Sequence, residues 1–274
     1  MAVIETASGP LWFEHAGDAG PRVLLVQGAG FPGEAWRPQF EALAAGHRVA
    51  WFDHRGIGRS PMGSGAVTIG GMAADGLAVL DALGWADAVV VGHSMGGRVA
   101  RRMAIEAPAR VAGLVLIASV FRRVMPPPLT MLPIMLRYPL WAGARRQAVL
   151  DQTFSRAWQG EVGRAAAAAR LEALLGVPLE EFPRRVPWHQ VNAMRRDRET
   201  EARIGEIRAP TLVIGGERDK VLSPANSRAL AGAIGGARLE MLRGCGHGLT
   251  IERADEVNAL IAGFVAGLGS LRAG

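Results

Sequence analysis

The chain has 274 residues, of which 49% are hydrophobic and 20% are charged. This length fits one large α/β domain or two small ones, and the hydrophobic share excludes a wholly disordered chain. A single cysteine, Cys245, excludes an internal disulfide framework and a cysteine-rich zinc site.

The net charge of +6 comes almost entirely from arginine, because Lys220 is the one lysine among the 31 basic residues. The arginines are spread along the chain without a block of five or six like charges. This spread indicates a solvated surface rather than a surface that binds nucleic acid or membrane. We therefore expect a small-molecule partner and no nucleic acid, and the positive charge would suit an anionic substrate without requiring one.

No segment of the sequence predicts a membrane span. The longest apolar run, residues 111–121, is far shorter than the roughly 20 residues that a spanning helix needs. The first residues lack the basic region and apolar stretch of a secretory signal. The sequence thus predicts a cytoplasmic protein, and it leaves open whether the protein is a monomer or a homodimer.

Short apolar runs alternate with helical patterns along most of the chain. The runs lack polar alternation, as expected for parallel strands buried on both faces, and they cover residues 23–26, 49–52, 88–91, 114–117 and 211–214. Helical patterns follow at residues 73–83, 95–106, 224–234 and 255–268. This order predicts right-handed βαβ units in an α/β fold with a doubly wound, mostly parallel central sheet.

Residues 121–208 break this rhythm. The segment opens with three prolines at 126–128 and contains the alanine-rich run 165–169. We expect a helical lid inserted over the carboxyl edge of the sheet, where long insertions are usually functional. The predicted domains are therefore a core of residues 1–120 and 209–274 and a lid of residues 121–208. A plain helical subdomain is the alternative.

Residues 92–96, Gly-His-Ser-Met-Gly, match the pattern G-x-S-x-G. The pattern alone is weak, but here an apolar run precedes it and a helical pattern follows it. A serine between a strand and a helix occupies a strained turn that exposes its hydroxyl at the helix N-terminus. Ser94 is accordingly the predicted nucleophile.

A serine hydroxyl needs a base to take its proton and an acid to orient that base. His247 lies in a glycine-rich loop after the predicted strand 238–242, and it is the candidate base. Asp219 follows the run 211–214 and is the candidate acid, with Glu217 as its competitor.

Asp53 follows another apolar run, but we expect it to hold its own loop together with Arg55 rather than to join the catalysis.

Ser94, Asp219 and His247 occur in the chain order of the α/β-hydrolase fold, each just past a strand. With the stretches 53–60 and 251–258, nearly the full chain resembles the serine hydrolases of this superfamily. The resemblance implies an oxyanion hole made of the backbone N–H groups of Met95 and Ala29. Family members usually carry His-Gly in the latter loop, whereas this chain has Gln27-Gly28.

The resemblance implies cleavage of a carboxylic ester through an acyl-enzyme, without a cofactor. A carbon–carbon bond hydrolase of ring-cleavage diketones and an enol-lactonase are enzymatic alternatives, and a non-catalytic ligand-binding homologue is the alternative of a different class. Dehalogenases and epoxide hydrolases of this fold use an aspartate where Ser94 stands.

We expect the substrate to contact the loop after the first predicted strand of the core, the serine motif and the insertion. The candidates from the loop, the serine motif and the insertion are Gly28, Gly30, Phe31, His93 and Trp188. Further apolar candidates are Met125, Met131, Met135, Trp141 and Trp158, although a stripe of such residues is more often ordinary core. Arg122 or Arg123 could face an anionic substrate, but solvent exposure is the commoner outcome for such residues. No pair or cluster of residues with metal-ligand spacing is present in the sequence.

Overall fold

The computed structural model describes residues 2–121, 142–179 and 187–272. Eight strands form one sheet in the order β1-β2-β4-β3-β5-β6-β7-β8. In chain order, β1 to β8 are Ala2–Thr6, Gly9–Ala16, Arg22–Val26, Arg48–Phe52, Ala88–His93, Val111–Ile117, Thr211–Gly216 and Arg238–Leu242.

The sheet is parallel from β4 to β8 and antiparallel at one edge. Strands β4, β3, β5, β6, β7 and β8 pair in parallel. Strands β1 and β2 form an antiparallel hairpin, in which Val3 pairs with Trp12, and β2 joins the sheet through the pair Phe13 and Phe52. The predicted strands are thus present, while the hairpin was not predicted.

Helices cover both faces of the sheet and occupy the long segment between β6 and β7. In the described residues, α1 to α11 are Arg37–Ala44, Ile69–Ala82, Met95–Glu106, Ala142–Thr153, Arg156–Val162, Arg164–Leu175, Trp188–Arg196, Glu199–Ala202, Pro224–Ala233, Leu249–Glu252 and Ala254–Arg272.

The core has two layers because successive residues of a strand point to opposite faces. Leu24 and Val90 pack in the layer under α2, α3 and α9, whereas their neighbours Leu25 and Val91 pack in the layer under α1 and α11. All four side chains are fully or almost fully buried. Strands buried on both faces explain the continuous apolar runs of the sequence.

The strand register brings the carboxyl ends of four strands to one edge. Val26 is paired with Gly92, and His93 is paired with Ile117, which is paired in turn with Ile214. The loops that begin at residues 27, 94 and 217 therefore leave the sheet side by side. The loop after β8 joins them, because Gly216 pairs with Leu242.

The segment between β6 and β7, called here the β6–β7 segment, comprises α4 to α8 in its described parts. Its own apolar cluster includes Phe154, Trp158 and Leu171, and Phe31 of the core packs against that cluster. The α/β fold with a doubly wound, mostly parallel sheet is confirmed, while the division into core and lid stays a prediction.

Several predicted contacts cannot be placed, because Arg122, Arg123, Met125, Met131, Met135 and Trp141 lie outside the described residues. Within the described ranges, no helix is long and apolar enough to cross a membrane. Over the same ranges, no group of three or more His, Cys, Asp or Glu side chains is arranged to hold a metal ion.

Candidate active site

Ser94 occupies the strained turn that the sequence predicts. Its backbone has φ 54° and ψ −116°, a combination that residues with a side chain rarely adopt. The turn is fixed to the sheet because the Ser94 N–H donates to the carbonyl oxygen of Ile117 at 2.9 Å. Ser94 precedes the first residue of α3, yet its hydroxyl caps no helix N–H and stays available for chemistry.

The two glycines of the motif allow the close packing of this turn. A Cβ atom at Gly92 would overlap the backbone of Gly96, and one at Gly96 would overlap the carbonyl oxygen of Val26. Any larger residue at either position would push the helix α3 away from the strands and would displace Ser94.

Asp219 and His247 form a hydrogen-bonded pair. His247 Nδ1 lies 2.8 Å from Asp219 Oδ2, and the other carboxylate oxygen accepts the N–H groups of Val221 and Leu222, each at 2.8 Å. Because a carboxylate only accepts hydrogen bonds, Nδ1 carries the proton and Nε2 is left as an acceptor. This is the tautomer that a general base for a serine requires.

Glu217 does not compete for this position. Its side chain is exposed, and its backbone N–H donates to the carbonyl oxygen of Leu242 at 3.0 Å. The carboxylate of Asp219 is buried, with 3% of the side chain exposed. The geometry therefore favours Asp219 over Glu217 as the partner of His247.

The loop of His247 lies against the residue that precedes Ser94. His93 Nε2 lies 3.0 Å from the carbonyl oxygen of His247, and the centroids of the two imidazole rings are 4.9 Å apart. Among the described residues, no hydrogen bond joins Ser94 to His247.

His93 also contacts the loop after β3. Its Nδ1 lies 3.1 Å from Gln27 Oε1, the same oxygen that accepts the Gly28 N–H at 2.7 Å. Desolvation, with the nearby His247, lowers the pKa of His93 to about 3, so the ring is neutral at physiological pH. A neutral ring has one N–H, but both ring nitrogens face oxygen acceptors, so one of the two contacts lacks a proton. Gln27 Oε1 thus brings His93 and the Gly28 N–H together at the start of the loop after β3.

Two backbone N–H groups beside Ser94 are available for an oxyanion. In the loop after β3, the Gly28 N–H donates to Gln27 and the Gly30 N–H donates to Gln190 Oε1 at 2.8 Å. The Ala29 N–H between them has no acceptor among the described residues, and the same is true of the Met95 N–H. The loop is close to the nucleophile, because a Cβ atom at Gly28 would lie 3.1 Å from Ser94 Cβ.

The β6–β7 segment reaches the site at two places. Pro187 packs at Gly30, where its Cγ would be 3.2 Å from an added Cβ atom, and Gln190 binds the Gly30 N–H. Trp188, the first residue of α7, is 44% exposed, while Trp158 is buried against Phe154 at a ring-centroid distance of 4.7 Å. Trp158 therefore belongs to the interior of the segment, and the substrate contact of Trp188 stays a prediction.

The β6–β7 segment also contacts the loop that carries His247. Glu252 Oε1 accepts the N–H groups of Ser155 at 3.0 Å and of Gly246 at 2.8 Å. The hydroxyl of Ser155 donates to Glu252 Oε2 at 2.7 Å, and the Gly248 N–H donates to the carbonyl oxygen of Thr153 at 2.6 Å. Gly248 is therefore bonded directly to the β6–β7 segment, and Gly246 is linked to it through Glu252. Neither Glu252 nor Gln190 was predicted from the sequence.

Asp53 has a structural role. Its carboxylate accepts the N–H groups of Gly33 at 2.7 Å and of Arg59 at 2.9 Å, so it joins two loops. The expectation that Arg55 would be its partner was wrong, because the Arg55 guanidinium pairs with the buried carboxylate of Asp75.

Comparison with known proteins agrees with this architecture. The α/β hydrolase fold family matches residues 21–254, which is most of the chain. The chain belongs to the α/β-hydrolase fold family. The resemblance inferred from Ser94, Asp219 and His247 is therefore confirmed at the level of the family.

The names of the relatives of this α/β hydrolase refer to different substrates. A protein named carbamate hydrolase RutD from Variovorax paradoxus is 32% identical over 278 residues, which span 94% of this chain and 96% of the relative. The 2-hydroxy-6-oxo-6-phenylhexa-2,4-dienoate hydrolase of Comamonas testosteroni is 30% identical over 92% of this chain and 90% of the relative. The crystal structure of the enol-lactonase from Burkholderia xenovorans has a TM-score of 0.81 and 26% identity, and the match covers 97% of this chain and 100% of that one.

These names and the family match confirm the coarser expectation, a hydrolase of the α/β fold. The bond that this α/β hydrolase cleaves, and the roles of its individual residues, stay predictions.

Proposed function

We propose that the protein is a serine hydrolase that cleaves a carboxylic ester of a small or medium-sized substrate through an acyl-enzyme. The observation that carries the proposal is the Asp219–His247 hydrogen bond of 2.8 Å, at the same sheet edge as the strained Ser94. A buried carboxylate that fixes the tautomer of a histidine is the arrangement that converts a serine hydroxyl into a nucleophile.

In the first half-reaction, Ser94 Oγ attacks the carbonyl carbon of the ester and its proton passes to His247 Nε2. The N–H groups of Ala29 and Met95 stabilise the negative charge that forms on the carbonyl oxygen. Asp219 stabilises the charged imidazolium. The tetrahedral intermediate then releases the alcohol, which takes the proton from His247, and leaves Ser94 acylated.

In the second half-reaction, a water molecule gives a proton to His247 Nε2 and attacks the acyl carbon. Collapse of the second intermediate releases the carboxylic acid, and the proton returns to Ser94 Oγ. Each oxyanion donor contributes about 3–4 kcal/mol to the stability of the transition state. The chemistry needs no cofactor.

A lactone or a carbamate can react by the same steps, because each presents a carbonyl carbon with a heteroatom leaving group. The similarity to the enol-lactonase structure favours lactone hydrolysis as the second candidate. In that reaction the leaving oxygen stays attached to the acyl group until water releases the open hydroxy or oxo acid. The relative from Comamonas testosteroni keeps carbon–carbon cleavage as a third candidate.

The test is hydrolysis of p-nitrophenyl esters from acetate to dodecanoate, together with an enol-lactone and a phenyl carbamate, by the wild type and by Ser94→Ala. We expect turnover that falls by several orders of magnitude in Ser94→Ala, and labelling of the wild type by a fluorophosphonate. Ser223→Ala is the matched control, because Ser223 also precedes a helix after a strand but has an ordinary φ of −44°. This control should keep full activity.

Ester turnover that persists in Ser94→Ala would disprove the proposed nucleophile. Labelling of Ser94 without ester turnover would transfer the proposal to the lactone, carbamate or carbon–carbon substrates. The absence of both would support a non-catalytic, ligand-binding role.

A further inference from the structure

Gln190 is a buried side chain that reaches from the β6–β7 segment to the oxyanion loop. It lies in the first turn of α7 and is fully buried, with 0% of its surface exposed. Its Oε1 accepts the Gly30 N–H at 2.8 Å, across 160 residues of sequence. A fully buried polar side chain in such a place normally satisfies all of its hydrogen-bonding groups.

The amide of Gln190 is only half satisfied. Its Nε2 group has no partner within the described residues. The amide orientation is fixed by chemistry, since turning it over would place an NH₂ group against the Gly30 N–H. The free group is therefore a donor, and it lies beside the loop whose Ala29 N–H is the predicted oxyanion donor.

Helix α7, which carries Gln190, is bonded to the helix that follows the nucleophile. Arg98 of α3 is 2% exposed, and its Nη1 donates to the carbonyl oxygen of Met194 in α7 at 2.6 Å. Arg98 also lies 3.8 Å from the carboxylate of Asp197, just after α7. Ser94 immediately precedes the same helix α3, so the helix of Gln190 is bonded to the helix that follows the nucleophile.

We propose that Gln190 is a specificity-determining residue whose Nε2 donates a hydrogen bond to a second acceptor oxygen of the substrate, near the scissile carbonyl. This inference rests on the proposed function. The substrate class that it selects comprises carbonyl compounds with a further oxygen a few bonds from the reacting carbon, such as oxo acid esters or alkoxy esters. The Oε1 atom meanwhile holds the Gly30 N–H and so orients the loop.

The experiment compares substrates that differ by a single oxygen. On the acyl side the pair is p-nitrophenyl 4-oxopentanoate and p-nitrophenyl 4-methylpentanoate, and on the alcohol side it is 2-methoxyethyl butanoate and butyl butanoate. The readout is the ratio of kcat/KM within each pair. One neutral hydrogen bond changes such a ratio by about three- to tenfold.

In the wild type, we expect the ratio of at least one pair to favour the oxygen-bearing member, and in Gln190→Met we expect that preference to disappear. Gln190→Met also lowers kcat/KM for both members, because the Gly30 N–H loses its acceptor. Gln190→Glu keeps an oxygen for Gly30 but removes the NH₂ group, so at pH 8.5 it should lose the preference without disturbing the loop. It replaces Gln190→Met if that variant fails to fold.

Gln159→Met is the matched control. Gln159 is another buried glutamine of the β6–β7 segment, and its Nε2 donates to the carbonyl oxygens of Leu150 and Phe154, each at 3.2 Å. This variant should keep both wild-type ratios.

Ratios that agree within twofold among wild type, Gln190→Met and Gln190→Glu would overturn the inference while leaving the serine hydrolase intact. Failure of the proposed function would give a different result, because even the wild type would then hydrolyse no ester of either pair. The inference about Gln190 would then fail as well.

Discussion

Glu252 binds Ser155 through both of its carboxylate oxygens. One oxygen accepts the Ser155 N–H at 3.0 Å and the other accepts its hydroxyl at 2.7 Å, across 97 residues of sequence. The first oxygen also accepts the Gly246 N–H, one residue before His247. A contact between the β6–β7 segment and the core thus also helps to position the candidate base.

Replacement of Glu252 by Gln should cost both stability and activity. An amide offers one acceptor oxygen in place of two, so its NH₂ group meets the Ser155 hydroxyl, which must then accept instead of donate. Neutral hydrogen bonds replace charge-assisted ones, and the free energy of unfolding should fall by about 1–2 kcal/mol. Urea unfolding and kcat with a p-nitrophenyl ester are the measurements. Ser155→Ala removes the hydroxyl that donates to Glu252 and accepts the Trp158 N–H at the start of α5, so it should cost about 2–3 kcal/mol of unfolding free energy. It leaves the Gly246 N–H bonded to Glu252 and should therefore keep kcat. Wild-type stability in Glu252→Gln would contradict this account.

Replacement of Asp219 by Asn should abolish most activity without unfolding the protein. Asn still accepts the N–H groups of Val221 and Leu222, but its NH₂ group forces the proton of His247 from Nδ1 to Nε2. A histidine in that tautomer cannot take the proton of Ser94, so kcat should fall by roughly 10³- to 10⁴-fold.

The exposed Glu217 provides the control for the same loop. Glu217→Gln should change kcat less than twofold, and both variants should keep the wild-type Tm within a few degrees. A larger loss of kcat in Glu217→Gln than in Asp219→Asn would reverse the assignment of the acid.

His54 should make the stability depend on pH. Its Nε2 lies 3.0 Å from the carbonyl oxygen of Gln27, and desolvation lowers its pKa to about 4 from 6.5. The folded protein therefore keeps this ring neutral while the unfolded chain takes up a proton below pH 6.5. The free energy of unfolding is fully retained above that pH and falls as the pH drops toward 4.

His54→Gln removes this dependence. Between pH 6 and pH 5, the wild type should lose about 1 kcal/mol more of its unfolding free energy than the variant loses. Urea unfolding at the two pH values measures the difference, and equal losses in the two proteins would argue against a neutral, buried His54.

Cys245 should be nearly inert toward alkylation. Its side chain is fully buried, and desolvation together with Glu252 raises the pKa of the thiol to about 11 from 9.0. The thiolate is the reactive form, so at pH 8 iodoacetamide should modify the native protein at least about 100-fold more slowly than the urea-unfolded protein. Mass spectrometry over time measures both rates. Similar rates would mean that the loop of Cys245 opens freely.

The parts of the fold that follow from local pattern were predictable, and those that depend on distant partners were not. Residues 95–106 and 238–242 form a helix and a strand with the predicted bounds, because each lies between a clear start and stop signal. The hairpin β1–β2 escaped prediction because β1 alternates between exposed and partly buried residues. The pairing of β2 with β4, which joins Phe13 to Phe52, is set by the tertiary fold.

The same distinction applies to the site. Ser94, Asp219 and His247 could be proposed because each follows a strand of a parallel sheet, and the strand register then brings them to one edge. Gln190 and Glu252 could not, because their partners Gly30 and Ser155 are 160 and 97 residues away and no spacing pattern marks them.

The division of the site residues between the sheet loops and the β6–β7 segment affects how the sequence of this protein can diverge. The groups assigned to bond cleavage come from loops of the central sheet, whereas Gln190 and Pro187 come from the β6–β7 segment, whose helices α4 to α6 share their own apolar cluster. Substitutions among the residues of α4 to α6 that form this cluster can accumulate without disturbing the packing of the sheet, whereas Ala193 and Met194 of α7 pack in the same core layer as Leu24 and Val90. Descendants of one ancestral enzyme can thus change the molecule they accept while they inherit the same reaction, provided that the bonds to Gly30 and Glu252 are retained.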